Sequence, residues 1–209
     1  MKKVIVIEHP LLEHKLTILR NKNTSSKDFR AIVEEMAMLM GYEILKNVKL
    51  KKLKVETPLE KTTGFAISGK MLTIIPILRA GLGLSTGLAK LLPMARIGHI
   101  GMFREPKTFE AIQYFHKLPA DISKRLNIIV DPMLATGHSA RAAIEILKRN
   151  GARNIKFLCV ISCPEGISEV HRHHPDVEIY TASIDRCLND HAYILPGLGD
   201  AGDRIFGTK

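Results

Sequence analysis

Between Asp131 and Ser139 the chain reads Asp-Pro-Met-Leu-Ala-Thr-Gly-His-Ser: one carboxylate, then small residues, a glycine and two hydroxyls. Thr136, Gly137, His138 and Ser139 supply what a phosphate needs, namely main-chain N–H donors, a glycine that permits close approach and hydroxyl groups. Asp131 would repel a phosphate, so it must serve a hydroxyl, a metal or a cation beside one. A sugar phosphate meets both conditions.

The elements around this segment fit such a role. Asn127 leads into the β-branched apolar run Ile128 to Val130, and Ala140 to Arg149 reads as a helix closed by Asn150-Gly151. In parallel sheets, the loop between such a strand and helix is where ligands sit. Met71 to Leu78 is a second near-continuous apolar run, expected to form a buried parallel strand. It is closed by Arg79-Ala80-Gly81-Leu82-Gly83, with a helix expected over Leu84 to Leu92.

Further strands are expected at Lys3 to Ile7, Ile97 to Phe103, Phe109 to Tyr114, Ile155 to Ile161 and Val177 to Ala182, with short ones at Val55 and Phe65 to Ile67 around the Thr57-Pro58 turn. Helices are expected over Leu11 to Leu19, from the Thr24 to Asp28 start cluster to about Leu45, and over Glu165 to His173. Lys46 to Lys54 reads as a lysine-rich solvated link, Arg104 to Thr108 as a charged excursion, and Asp190 to Lys209 as a loop-like, Gly-rich tail. Strands alternating with helices predict an α/β fold with a mostly parallel, doubly wound sheet in one domain over 1–209.

The bulk composition agrees. The 209 residues are 45% hydrophobic and 25% charged, as in an ordinary globular domain. No apolar run is long enough to span a bilayer, and Val4 to Ile7 is too short for a signal peptide's apolar region, so cytoplasm and no membrane contact are expected. Cys159, Cys163 and Cys187 are odd in number and read as buried thiols in a reducing compartment. With 31 basic against 21 acidic residues, the net charge of +10 favours anionic partners. Only 5% of residues are aromatic and none is Trp, so stacking platforms for nucleic acid are sparse and none is expected as a partner.

Some motifs mislead. Gly64 to Met71 nearly matches a P-loop, but Met71 replaces the magnesium-binding hydroxyl and a strand follows instead of a helix. Gly197 to Gly202 matches GxGxxG with too little chain behind it for a dinucleotide fold. Gly81, Gly83 and Gly87 are a fairer dinucleotide candidate, though a pyrophosphate cradle fits them equally well. His171, His173 and His174 near Cys163 match no zinc spacing and read as solvated residues at a helix end.

Three stretches in order, Leu78-Arg79-Ala80-Gly81, Asp131 to Gly137, and Tyr193 to Arg204, resemble the uracil phosphoribosyltransferases over essentially the whole chain. Most of the wider superfamily carries a second acid where Pro132 stands and another where Ala135 stands. Uracil-specific members share the pattern seen here, which argues against a purine base and against a loop carboxylate as metal dyad or general base. His138 occupies a position where a small residue is common.

The resemblance implies transfer of phosphoribosyl from phosphoribosyl pyrophosphate to uracil, giving uridine monophosphate and pyrophosphate. It implies a substrate site made of Arg79, Arg104, Asp131, Pro132, Met133, Leu134, Ala135, Thr136, Gly137, His138, Ser139 and Asp200. Thr136 to Ser139 would hold the 5′-phosphate, Asp131 the ribose hydroxyls, and Arg79 with Arg104 the pyrophosphate. Uracil would be read by main-chain groups of Ile194, Gly199 and Ala201, beside Asp200, in a hood of about residues 183–209. Mg2+ would arrive bound to phosphoribosyl pyrophosphate, with Asp200 its possible contact; Asp200, Arg79 and Arg104 would be catalytic. A homodimer or higher homo-oligomer is expected, helped by the apolar face of the Phe29 to Leu45 helix. GTP activates some members, though no residue here marks a GTP site. The rival reading is a pyrimidine-responsive RNA-binding regulator on the same fold.

Overall fold

The computed structural model describes residues 3–67, 72–104 and 111–208. In chain order its strands are β1 (Val4–Val6), β2 (Leu50–Glu56), β3 (Lys61–Ile67), β4 (Leu72–Leu78), β5 (Arg96–Ile97), β6 (His99–Arg104), β7 (Ala111–Lys117), β8 (Leu126–Val130), β9 (Met133–Leu134), β10 (Asn154–Ser162), β11 (Glu178–Ile184), β12 (Cys187–Leu188) and β13 (Ile194–Leu195). Its α-helices are α1 (Pro10–Arg20), α2 (Ser26–Ile44), α3 (Gly81–Leu91), α4 (His138–Arg149), α5 (Pro164–His173) and α6 (Ala201–Phe206). The expected strand start at Met71, most of the charged excursion (105–108) and the strand start at Phe109 lie outside the described residues.

The main sheet runs β1, β11, β10, β8, β4, β6, β7, with β5 against β4 and β9 against β10. Its pairs are parallel except β6 with β7. This is the mostly parallel, doubly wound sheet the apolar runs predict. Successive residues on a strand face opposite sides. Ile74, Ile128 and Leu158 therefore join α1, α2, α3 and α6 in one core, while Ile75, Ile129 and Phe157 join α4 and α5 in the other.

The order also fixes where a ligand can sit. From β4 the chain steps outward to β6 on one side, then returns to β8 on the other side of β4. The loops after β4 and β8 thus flank the point where the winding reverses, the usual crevice for ligands in open α/β sheets.

Four expectations need correction. Lys46 to Lys54 is not simply a link: from Leu50 it forms β2, paired antiparallel with β3 along its whole length in a separate hairpin. Lys51, Lys52 and Lys54 break the apolar–polar alternation of a strand, because no residue of either hairpin strand is buried. The tail is not all loop. Asp200 caps α6 by accepting from the Asp203 N–H at 2.9 Å, and Gly207 ends the helix at φ 65°. His171 and His174 are not solvated, being only 4% and 7% exposed, with His171 Nε2 3.2 Å from the Val177 carbonyl; His173 stays exposed.

The fourth concerns α2, whose apolar face is spent inside the molecule. Phe29, Val33, Met36, Met40 and Ile44 are fully buried in the core they share with α1, α3 and α6. The fit against α3 is close: a Cβ at Gly87 would lie 2.2 Å from the Glu34 carbonyl oxygen. Spare apolar surface lies instead on the hairpin, where Leu50, Leu59, Phe65 and Ile67 are 40–94% exposed.

Candidate active site

The loop after β8 turns back on its own backbone. Pro132 is buried, and its carbonyl accepts from the Val160 and Ile161 N–H groups of β10, at 2.9 and 3.1 Å. A carboxylate at position 132 would be buried here, which costs free energy unless it is paired. Gly137 adopts φ 84°, a left-handed conformation that favours glycine, and α4 starts directly behind it with no side chain capping its N-terminus. The first-turn N–H groups of a helix carry partial positive charge and suit an anion.

Asp131, Met133, Leu134, Ala135, Thr136, Gly137, Ser139 and Ala140 line a cleft of about 40 Å³ there. That volume suits a single phosphate group rather than a whole nucleotide. Of the expected loop residues, Pro132 and His138 do not line the cleft. His138 is the first residue of α4, and its N–H lies 3.5 Å from Thr136 Oγ1.

The loop after β4 lies alongside. A Cβ on Gly81 would stand 2.4 Å from the Val130 carbonyl at the end of β8, so the two loops touch backbone to backbone. Arg79 is exposed and follows a cis Leu78-Arg79 peptide. Its guanidinium reaches the tail, 3.7 Å from Asp203 Oδ1 and 5.5 Å from the Phe206 ring centroid. Gly202 brings the start of α6 against Ala80, since a Cβ there would lie 3.9 Å from the Ala80 Cβ and 3.2 Å from Asp200 Oδ1. Arg79, Ala80 and Asp200 are therefore neighbours. Arg104 closes β6, but its side chain lies outside what is described.

In the tail, Ile194 is buried and pairs in register with Leu188. The chain then passes a cis Leu195-Pro196 bond and two glycines in left-handed conformation, Gly197 at φ 69° and Gly199 at φ 70°. Ala201 is fully buried as the first residue of α6. Gly199 is exposed, at the outer turn of this path.

Sequence reasoning missed α5 as part of the site. A Cβ on Gly166 would lie 2.4 Å from the Ala135 carbonyl oxygen and 2.7 Å from that of Leu134, so the helix presses on the loop without a side chain between. The buried Cys163 thiol donates to the Ala135 carbonyl at 3.1 Å, and burial pushes its pKa up to about 11, so it stays protonated as a donor at neutral pH. Glu169 pairs with Arg141 of α4 at 2.6 Å. On its other side α5 reaches the tail, where Glu165 Oε1 accepts from the Leu188 N–H at 3.0 Å; that bond lowers the Glu165 pKa. The Cys163-Pro164-Glu165-Gly166 order at a helix start was the available sequence signal.

Among the described residues, no three His, Cys, Asp or Glu side chains group to hold a metal ion. The donor set here suits a cation that brings most of its own oxygen ligands with it, with Asp200 adding one carboxylate.

Comparison with known proteins gives the family. The family described as uracil phosphoribosyltransferase matches residues 6–208. Uracil phosphoribosyltransferase of Alkaliphilus metalliredigens is 56% identical over 209 residues, covering all of both chains. That of Clostridioides difficile is 57% identical over the same span, again covering both chains fully. A solved protein from Aquifex aeolicus superposes with a TM-score of 0.94 at 32% identity, covering 99% of each chain. Adenine phosphoribosyl transferase from Trypanosoma brucei, at 12% identity, TM-score 0.61 and coverage of 88% and 84%, shares the fold alone. Motif order, sheet winding and full-length identity converge: this chain belongs to the uracil phosphoribosyltransferase family.

Proposed function

We propose that the chain is a uracil phosphoribosyltransferase, joining uracil to phosphoribosyl pyrophosphate to give uridine monophosphate and pyrophosphate in pyrimidine salvage. One observation carries the reading beyond family membership. Two anion-suited loops, after β4 and β8, meet at the sheet's winding reversal, and the tail's Asp200 stands beside them.

In this reading the Thr136 and Ser139 hydroxyls and the first-turn N–H groups of α4 hold the 5′-phosphate. Met133, Leu134 and Ala135 shape the floor of the cleft and Pro132 anchors it, while His138 contributes main chain only. Asp131 takes the ribose hydroxyls. Arg79, with the Ala80-Gly81 backbone, holds the pyrophosphate, and Arg104 joins it from the neighbouring strand end. Guanidinium groups suit this task because they stay charged and bind phosphate oxygens in pairs. Magnesium bound to phosphoribosyl pyrophosphate would supply countercharge for the leaving group, with Asp200 the residue that would contact it.

As the bond to pyrophosphate breaks, negative charge grows on the leaving group and the ribose carbon becomes cationic. Cations fixed around the leaving group stabilise that state more than the bound substrate, which lowers the barrier. Asp200, beside Ala80 at the start of α6, would lend its carboxylate to the metal-bound substrate. Uracil offers alternating carbonyl acceptors and N–H donors, and main-chain groups of Ile194, Gly199 and Ala201 complement that edge. With apolar residues at 132 and 135, the loop offers no second carboxylate at either position.

The hairpin's exposed Leu50, Phe65 and Ile67 support self-association as a homodimer or higher homo-oligomer. The proposal includes GTP as an activator. No described helix is long and apolar enough to cross a membrane, and a cytoplasmic place suits a salvage enzyme. We read residues 1–209 as one domain whose hood, about 183–209, packs into the same core as α1 and α2.

The test is to incubate the protein with labelled uracil and phosphoribosyl pyrophosphate and measure uridine monophosphate, with hypoxanthine as competitor. Expected is product from uracil that hypoxanthine does not suppress. No product, alongside salt-sensitive RNA binding that the +10 charge would support, would replace the enzyme by the RNA-binding regulator.

A further inference from the structure

A base read by main-chain groups poses a physical problem. Its selectivity lies in the path of the backbone, and a path must be fixed to within about 0.5 Å to discriminate hydrogen-bond patterns. Between Ile194 and Gly199 the chain makes its sharpest turn at Gly197, where a Cβ would stand 2.0 Å from the Ile194 carbonyl oxygen. Both polar main-chain groups of Gly197 are held by side chains distant in sequence. Its N–H donates to Asp185 Oδ2 at 3.0 Å, and its carbonyl accepts from Arg20 Nη1 at 3.0 Å.

These two side chains are locked to each other. Arg20 donates to both Asp185 oxygens, at 2.7 and 2.6 Å. The Asp185 side chain is 2% exposed and takes a further bond from the Ser183 hydroxyl at 2.8 Å. Burial alone would raise the Asp185 pKa, but the bonds from Arg20, Ser183 and the Gly197 N–H outweigh it and hold the carboxyl below its usual range. The next residue is held as well: Arg204 donates to the Leu198 carbonyl at 2.8 Å and to the Asn21 carbonyl at 2.6 Å, its guanidinium 4.3 Å from the Phe29 ring centroid. The turn is thus fastened to the end of α1.

We propose that Arg20 and Asp185 are specificity-setting positioning residues, whose fork on Gly197 fixes where Ile194 and Gly199 present their main-chain groups to the base. The proposal rests on the tail being the base reader. Neither residue needs to touch uracil. They act through Gly197, so their loss should blur the choice of base while leaving the sugar–phosphate half unaltered.

The experiment compares Arg20→Lys, Arg20→Ala and Asp185→Asn with the parent, measuring kcat and KM for uracil, KM for phosphoribosyl pyrophosphate, and kcat/KM for cytosine. Arg20→Lys keeps the charge but not the fork. It should raise KM for uracil about tenfold, the size of one charge-assisted hydrogen bond, and lower the uracil-over-cytosine ratio by a similar factor. KM for phosphoribosyl pyrophosphate should stay within about twofold. Arg20 borders an open cleft of about 420 Å³, so added guanidinium ion at millimolar levels should restore part of the selectivity of Arg20→Ala. An unchanged uracil-over-cytosine ratio in folded Arg20→Lys and Asp185→Asn overturns the proposal, as does an equal rise in both KM values. The reading beneath it is checked separately through the amide resonances of Gly199 and Ala201 in the parent. If uridine monophosphate leaves them unmoved, the tail is not the base reader, whatever the variants do.

Discussion

In the proposed function, the loop after β8 and the tail after β13 solve two recognition problems by opposite means. The loop is local. Nearly everything lining its cleft lies between Asp131 and Ala140, and its donors follow from one strand, one left-handed glycine and one helix start. The tail is held from afar, by Arg20 and Asp185 at Gly197 and by Arg204 bridging to α1. A phosphate is nearly symmetric and tolerates small shifts, so a short self-contained turn suffices. A base edge is a fixed pattern of donors and acceptors, and reading it with backbone demands scaffolding drawn from the whole molecule.

The contrast can be broken by substitutions that should separate the two regions. Asp200→Asn has the largest expected effect. Asparagine caps a helix as well as aspartate does, so α6 and thermal stability should hold while turnover falls about 100-fold or more, by loss of the carboxylate at the metal–substrate assembly. Turnover near the parent value would remove Asp200 from the site.

Gly166→Ala follows. Its methyl would sit 2.4 Å from the Ala135 carbonyl, and accommodating it should cost about 1–3 kcal/mol of stability, read by denaturant unfolding. KM for phosphoribosyl pyrophosphate should rise more than KM for uracil, because the loop moves first. The reverse order would show that α5 serves the tail more than the loop.

Thr136→Ala and His138→Ala make a smaller, paired test. Losing a hydroxyl from a bound phosphate should raise KM for phosphoribosyl pyrophosphate about tenfold without changing that for uracil. His138 does not line the cleft, and its replacement should move either constant by less than about twofold. A large His138 effect would mean that its side chain joins the phosphate site.

Acid gives the smallest and most selective probe. The Asp185 pKa is lowered in the fold, so its stabilising contribution is complete above the unfolded value near 3.8 and is lost as pH falls through the folded value. Asp185→Asn should therefore flatten the dependence of unfolding free energy on pH below about 4. Identical acid profiles for parent and variant would show that the fork at Gly197 carries no net electrostatic stability.

The same contrast explains what could be read beforehand. The strand–loop–helix unit proposed for the phosphate was legible because its residues are contiguous: carboxylate, small residues, Thr136-Gly137, then a helical pattern. The strands β4, β8 and β10 were legible because burial on both faces leaves unbroken apolar runs. Asp185 and Arg20 were invisible, since a lone acid after a strand and a lone arginine ending a helix look like ordinary surface groups. Only the 165 positions between them, closed by folding, make them a pair. The α6 helix was missed because six residues span less than two turns and show no periodicity. His171 and His174 misled because a polar sequence context suggests solvent contact, whereas His171 lies on the buried face of α5 against the Val177 carbonyl and His174 packs beside Lys148 of α4. The β2–β3 hairpin was read only in part, at Val55 and Phe65 to Ile67; the rest of β2 hid behind its lysines, having no core to impose an alternation.

The short helix α5 has one more consequence. Through Gly166 and Cys163 it abuts the loop proposed for the sugar phosphate, and through Glu165 it holds Leu188, the ladder partner of Ile194 in the segment proposed for the base. Ten residues of helix thus touch both of the segments proposed to hold the two ends of a single nucleotide. If both segments bind as proposed, such a strut would work as a ruler: it would set the gap between phosphate and base to one ribose, so a ligand with a longer or shorter spacer would satisfy one end only by letting go of the other.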